Sequence, residues 1–278
     1  MNILLTGADG NLGTEIRRQA RAPVVGLGRD GWQDLDTAVA GVDTVLHAAS
    51  DLRTRATVAP AALMNSNVMS TALLLEAAKR HGVRRFVFMS SCAVYGEDMR
   101  TPEESLCAPI TINGICKLLN EKLVAEFCTA NDIKYQILRI FNTYGGNDRF
   151  SIFSRLEQAI LKGKPFTLNN MGRIQRDFIH VSDVAAVVWT LLQHPVKYSH
   201  LNIGTGIATK ISTIVELVAQ RFPHLVLGHG ITKEAEYSRA DIGRLNEFWS
   251  RDFIQIDAYV KQRFSPDVLG TPSTLSLR

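Results

Sequence analysis

The sequence is marked first by what it lacks. No apolar run approaches the length of a membrane span, and the chain enters a strand at once, so neither an anchor nor a signal peptide is expected. Its four cysteines, Cys92, Cys107, Cys116 and Cys128, show no metal-ligand spacing and read as reduced thiols of a cytoplasmic protein. Charge is weak: 31 basic against 27 acidic residues give +4, too little and too dispersed for nucleic acid but compatible with an anionic small ligand. There is no internal repeat and no low-complexity stretch, except a loose tail expected from Ser265. What remains, 278 residues with 46% hydrophobic and 21% charged side chains, is an ordinary globular chain long enough for a substantial core.

The informative stretch is the first thirteen residues. Asn2 to Thr6 is a short apolar strand that stops at Gly7, and Gly10 and Gly13 follow before a helix with Leu12, Ile16 and Ala20 on one face. Strand, glycine turn and helix form a cradle for a dinucleotide pyrophosphate. Glycines let phosphates approach the backbone, and the helix N-terminus offers unpaired N–H groups with a partial positive charge. Asp9, Asn11 and Leu12 complete the loop and are candidate cofactor contacts.

A second strand, Pro23 to Gly28, ends at Arg29-Asp30. NAD-preferring folds place an acidic side chain at this strand end to bond the ribose 2′-OH. Here the place falls on Gly28, and Arg29 can clamp a 2′-phosphate. NADP(H) is therefore favoured, with NAD(H) left open by the nearby Asp30. Between this strand and the next there is room for one short helix, entered through Asp34 and Leu35, two further cofactor candidates. The strand Asp43 to Ala49 ends on His47, Ala48 and Ala49, a stretch that resembles the H-x-A-A segment of one dinucleotide-binding superfamily; that resemblance implies that these residues run past the cofactor, where small side chains leave space. A helix is expected over 61–80, closed by Gly82, with Asn67 interrupting its apolar pattern. Then come a strand from Val83 to Ser91, a proline-bearing loop from Glu97 to Pro109, a helix from Asn113 to Asn131 and a strand from Ile133 to Phe141. This alternation implies a parallel sheet covered on both faces.

The glycine spacing G-x-x-G-x-x-G after Thr6 resembles the fingerprint of extended short-chain dehydrogenases/reductases. Further segments resemble the nucleotide-sugar epimerases and dehydratases among them: Ser90-Ser91-Cys92-Ala93-Val94-Tyr95-Gly96, Asn142-Thr143-Tyr144-Gly145, Arg176-Asp177-Phe178-Ile179-His180-Val181-Ser182-Asp183-Val184 and Leu201-Asn202-Ile203-Gly204-Thr205-Gly206. The resemblance covers roughly residues 1 to 265. It implies a Rossmann-like α/β fold with a doubly wound parallel sheet. Residues 1–145 form the NAD(P)-binding domain, with a strand and helix added from about 176–206, and 146–278 form mainly a smaller substrate-binding domain.

The resemblance also implies hydride transfer between a nicotinamide cofactor and a nucleotide-diphosphate sugar, as 4-keto reductase, epimerase or dehydratase. Ser91 takes the place of the hydroxyl that polarises the reacting oxygen, and Lys117 that of the lysine that anchors the nicotinamide ribose. Tyr95, Asn142 and Arg176 stand where the family contacts substrate, Arg176 on the pyrophosphate. Alternatively Arg176 pairs with Asp177 or Asp183. Lys233 and Arg239 are looser phosphate candidates, and Asp183 has a capping or bridging role. A homodimer is implied as well, built from the helix near 61–80 and the helix from Asn113, whose apolar residues 118–127 need cover.

At one position the pattern fails. The family's catalytic tyrosine, four residues before the lysine, is Asn113 here. An amide donates a hydrogen bond but does not exchange a proton near neutral pH. Three readings stand: the proton comes from substrate, water, Tyr95, Tyr144, Cys92 or Cys116; the position was substituted to trap a complex; or the protein binds cofactor and sugar nucleotide with little turnover, in regulation or scaffolding.

Overall fold

The computed structural model describes residues 1–51, 58–99, 102–232 and 234–269. In chain order the elements are β1 (Ile3–Thr6), α1 (Asn11–Arg18), β2 (Val24–Leu27), α2 (Leu35–Val39), β3 (Thr44–His47), α3 (Pro60–Met64), α4 (Ser70–Arg80), β4 (Arg85–Ser91), β5 (Asp98–Met99) and α5 (Ile112–Ala130). There follow β6 (Lys134–Ile140), β7 (Asn142–Tyr144), α6 (Ile152–Lys162), β8 (Phe166–Asn169), β9 (Gln175–His180), α7 (Val181–Leu192) and β10 (His200–Ile203). The last are β11 (Ala208–Lys210), α8 (Ile211–Ala219), β12 (Leu227–Gly230), β13 (Tyr237–Ser238), α9 (Ile256–Arg263) and α10 (Pro266–Leu269).

Six strands form a parallel sheet in the order β10-β6-β4-β3-β1-β2. Side chains alternate across it, as the two-residue period of a strand requires. Ile3, Leu5, Val87, Met89 and Leu138 face one way and pack with Ile16 of α1 and Val184, Val187 and Val188 of α7. Leu4, Val45, Phe86, Phe88 and Ile137 face the other way, onto Leu35 and Val39, Leu74 and Leu75 of α4, and Val124 and Cys128 of α5. Both faces are thus covered by helices, which makes the fold a doubly wound, Rossmann-like α/β fold. Trp189 of α7 donates its indole N–H to the Ile16 carbonyl at 2.9 Å and locks α7 to α1.

The second core lies beyond the sheet's carboxyl edge. Tyr144, Phe153, Leu156, Phe166, Phe178, Val215, Val218 and Phe264 fill it. Its sheet runs β11-β9-β13-β5, with β7 joined to β9, and β8 pairs with β12.

Two local expectations change. The helix expected over 61–80 is broken by a π-helical turn, Asn65–Met69, between α3 and α4. The break is stabilised by its surroundings: the Asn67 carbonyl accepts from Thr71 Oγ1 at 2.9 Å and from Asn120 Nδ2 at 2.8 Å. The Asn67 side chain bridges the Asp51 N–H and carbonyl. Residues 266–269, the last described, form a short helix with Leu269 buried; the rest of the tail expected from Ser265 lies outside the described residues.

Candidate active site

The chain leaves β1 toward β2 on one side and returns to β3 on the other, so a crevice opens between the carboxyl ends of β1 and β3. Gly7, at φ +68°, turns the chain there. A Cβ on Gly7 would lie 2.7 Å from the Ala49 backbone nitrogen, and one on Gly13 would lie 2.1 Å from the Gly7 carbonyl oxygen. No side chain of any size fits at either point. Gly10 caps α1 without a side-chain hydrogen bond, so the first-turn N–H groups keep no side-chain partner among the described residues. These residues fit a dinucleotide pyrophosphate.

The other loop residues divide by role. Asn11 turns its side chain away from the cradle, donating to the Gly145 carbonyl at 3.0 Å and accepting from Asn147 N at 2.7 Å. It ties the nucleotide loop to the segment after β7. Asp9 is exposed and its carboxylate stands against Gly28. Leu12 packs on the core. Arg29 opens a 3-10 turn, Arg29–Asp34, and is exposed without an ion pair among the described residues. Asp34 is exposed, whereas Leu35 is buried beneath it.

His47 is structural. Its Nδ1 lies 2.7 Å from Thr6 Oγ1 and its Nε2 2.9 Å from Thr71 Oγ1. Thr71 already donates its proton to the Asn67 carbonyl, so His47 donates from Nε2 and accepts at Nδ1, a neutral ring. Burial, aided by the charge of Lys117, pulls its pKa down to about 3. Ala49 N also donates to Thr6 Oγ1, at 3.2 Å, and this fixes the Ala48-Ala49 wall of the crevice.

The catalytic candidates gather where β4 meets the start of α5. Ser91 ends β4, and its Oγ accepts from Ala93 N at 3.2 Å, capping the turn Cys92–Val94. Thr111 caps α5 by accepting from Gly114 N. A Cβ on Gly114 would lie 2.5 Å from the Ala93 carbonyl, so only glycine lets α5 rest on this turn. Asn113 is thereby held beside the serine turn, and its Oδ1 is buried without a hydrogen-bond partner. One turn on, Lys117 donates from Nζ to the Met89 carbonyl at 2.7 Å, with Phe88 under the ammonium at 4.8 Å. Burial pulls the lysine down to about 8, against the opposing charge of Glu121.

The tyrosines named as alternative proton sources are committed elsewhere. Tyr95 is buried; its hydroxyl donates to Asn202 Oδ1 at 2.7 Å and accepts from Arg139 Nη1 at 3.0 Å. Burial pushes it up to about 12. Tyr144 donates to the Ile254 carbonyl inside the second core, and burial raises its pKa too. Cys92 and Cys116 are buried thiols, Cys92 pushed up to about 11 by burial.

A cavity of about 490 Å³, lined by Thr205, Gly206, Arg239, Ala240, Asp241, Ile242 and Gly243, lies beyond the strand ends. Its wall is organised by Asp177. This wholly buried carboxylate accepts from Thr205 N and Oγ1, Gly206 N and Ala240 N, at 2.7 to 3.0 Å. Asn142 donates to the Asp177 carbonyl at 2.9 Å and to Ser238 Oγ at 3.3 Å. Arg176 pairs with neither Asp177 nor Asp183. Its guanidinium reaches Glu234 Oε2 at 3.1 Å and the Ala235 carbonyl. Asp183 bridges to Ile254 N at 2.8 Å, and the cap of α7 is the His180 ring, which accepts from Ser182 N. Lys233 lies outside the described residues.

Sequence reasoning missed the polar layer behind Ser91, where Arg139 pairs with Glu121 and Asn202 N donates to Glu103 Oε1. The one available signal was Arg139 itself, a charge inside an apolar strand.

Comparison with known proteins accords with this geometry. Residues 3–204 match the model of the NAD dependent epimerase/dehydratase family. YtcB, an uncharacterized UDP-glucose epimerase of Bacillus subtilis (strain 168), is 30% identical over 229 residues, covering 79% of this chain and 72% of that one. A UDP-glucose 4-epimerase of Halalkalibacterium halodurans is 28% identical over 217 residues, covering 69% and 63%. The chain spans 40–64% of the length of other curated relatives it matches. Among solved structures, MoeE5 in complex with UDP-glucose and NAD is 28% identical, with a TM-score of 0.80 and coverage of 94% and 99%. The Bacillus cereus UDP-glucuronic acid 4-epimerase, at 23% identity, 97% and 99% coverage and a TM-score of 0.85, shares the fold. The chain belongs to the NAD-dependent epimerase/dehydratase family, within the extended short-chain dehydrogenases/reductases.

Proposed function

We propose that the protein binds a nicotinamide adenine dinucleotide in the β1–β3 crevice and a nucleotide-diphosphate sugar in the cavity beyond it, and interconverts or reduces the sugar by hydride transfer. The observation that carries this reading is the cradle itself, closed to any Cβ at Gly7 and Gly13 and open at the α1 N-terminus. The bound nicotinamide supplies the hydride donor and acceptor. Residues 1–145, with α7 and β10, serve the dinucleotide, and the rest serves mainly the sugar nucleotide.

Within that reading Ser91 holds the reacting oxygen by hydrogen bond, and Lys117, fixed on the Met89 carbonyl, anchors the nicotinamide ribose. Asn142 braces Asp177 behind the cavity wall, and positive charge for the pyrophosphate falls to Arg239, which lines the cavity, and to Arg176. Asn113 accepts a hydrogen bond at Oδ1 but transfers no proton, so the proton passes through substrate hydroxyls, water or a cysteine thiol. Tyr95 and Tyr144 are too committed to serve.

A second reading, a binding protein with little turnover, is favoured by that same orphaned oxygen, which orients a ligand hydroxyl without chemistry. We also propose a homodimer across α3, α4 and α5. Leu118, Leu123 and Phe127 pack partly on the protein's own cores, so the apolar side chains left for a partner include Met64, Met69, Leu73, Ile115 and Leu119.

Calorimetric titration with dinucleotides, and then with UDP-sugars in the presence of the bound cofactor, tests the reading. Micromolar binding of both is expected, and Gly13→Ala should abolish the first. Dinucleotide affinity weaker than millimolar, or equal affinity in Gly13→Ala, would overturn it.

A further inference from the structure

The end of β2 in dinucleotide-binding folds presents the side chain that reads the adenine ribose. Here that residue is Gly28, with no side chain to present. In its place stands a neighbouring carboxylate: a Cβ built on Gly28 would lie 2.1 Å from Asp9 Oδ2 and 3.2 Å from Asp9 Cγ. The carboxylate of Asp9, carried by the glycine loop after β1, occupies the volume a side chain at the end of β2 would fill. Gly28 itself is in extended backbone, φ −80° and ψ −174°, which any residue adopts, so the one group standing in that volume is the Asp9 side chain.

Asp9 is also placed to meet a ligand. Its side chain is 75% exposed, and Arg17 Nη1 stands 3.9 Å from Oδ1 on one side. The Arg17 guanidinium lies along β2, with Cζ 3.7 Å from where a Gly26 Cβ would be. Oδ2 therefore remains directed to the loop mouth over Gly28. A carboxylate there accepts from ribose hydroxyls, and it repels a 2′-phosphate, which carries close to two negative charges.

We propose that Asp9 is the ribose-reading carboxylate of this protein, delivered from the glycine loop and not from β2, and that it selects NAD(H) against NADP(H). This rests on the dinucleotide reading above, and it reverses the preference expected from Arg29 by sequence.

The test is a fluorescence titration with NADH and NADPH of the wild type, Asp9→Asn, Asp9→Ala, Arg29→Ala and the double variant Asp9→Ala/Gly28→Asp. The wild type should bind NADH at least tenfold more tightly than NADPH. Asp9→Asn and Asp9→Ala should cut that ratio at least tenfold, and Arg29→Ala should leave it within threefold. The double variant moves the carboxylate onto β2 into the volume Asp9 vacates, and should restore the preference for NADH. An unchanged ratio in both Asp9 variants, or tighter NADPH binding by the wild type, would overturn the assignment while leaving the dinucleotide site intact. Failure of the wild type to bind either nucleotide would overturn the site itself, and the assignment with it.

Discussion

Arg139 of β6 and Glu121 of α5 form a buried ion pair directly behind the serine turn. Nη2 donates to Oε2 at 2.8 Å, Nε reaches both carboxylate oxygens, and the two side chains are 5% and 2% exposed. Ser90 donates its hydroxyl to the same carboxylate, and Arg139 also donates to the Tyr95 hydroxyl and the Glu103 carbonyl. The pair thus holds Ser90 and Tyr95, residues on both sides of Ser91.

Removing one partner leaves the other charge buried and uncompensated, which costs about 3–5 kcal/mol. Glu121→Leu is therefore expected to lower stability by that amount in urea unfolding. Glu121→Leu/Arg139→Met should recover most of the loss, because an apolar pair of similar volume carries no such penalty. Additive losses in the double variant would refute the coupling.

His47 predicts a pH dependence. Burial pulls its pKa down to about 3 in the folded protein, against about 6.5 for a free imidazole, so the unfolded chain takes up a proton first as pH falls. The contribution is complete above pH 6.5, declines between 6.5 and about 3, and is gone below. The slope per proton is about 1.4 kcal/mol per pH unit. His47→Gln keeps one acceptor for Thr6 and one donor for Thr71 without titrating. The difference between wild-type and variant stability, followed from pH 7 to 4, should grow in the variant's favour as pH falls; a constant difference would count against the neutral, depressed histidine.

The proton path is open to kinetics at Asn113. If the protein turns over by another donor, Ser91→Ala lowers the rate and Asn113→Tyr does not raise it. If it has left catalysis, Asn113→Tyr should raise hydride transfer at least tenfold, within the roughly 10²–10⁴ range of general acid–base catalysis. Oxidation of reduced nicotinamide with a panel of 4-keto sugar nucleotides separates the two. High wild-type activity abolished by Asn113→Tyr would exclude the binding-protein reading.

For the dimer, Ile115 and Leu119 lie one turn apart on α5, 45% and 43% exposed. Ile115→Glu/Leu119→Glu should convert a dimer into a monomer by light scattering at micromolar concentration, with little change in monomer fold. A wild type already monomeric there would refute the proposal.

Much of the fold was legible in local pattern. Continuous apolar runs such as Val45-Leu46 and Phe86-Val87-Phe88 announced strands buried on both faces, and glycine spacing marked the turn from β1 to α1. These signals are local because period and turn chemistry are decided within a dozen residues. Ser91, Asn113 and Lys117 were singled out by resemblance to the family's motifs, and the fold places the end of β4 beside the start of α5.

The rest depends on which strands lie side by side. Asp9 meets Gly28 only because β2 runs parallel to β1 in a register that pairs Thr6 with Leu27. Arg176 finds Glu234 across 58 residues, and Tyr95 finds Asn202 across 107. A buried hydroxyl or guanidinium must take whatever partner the packing offers, since leaving it unpaired costs more than any local preference. Sequence alone determined the main strands of the parallel sheet, most of the helices that cover it and the glycine cradle. Tertiary structure decided where the polar side chains point, because their partners are set by sheet order and not by neighbours in the chain.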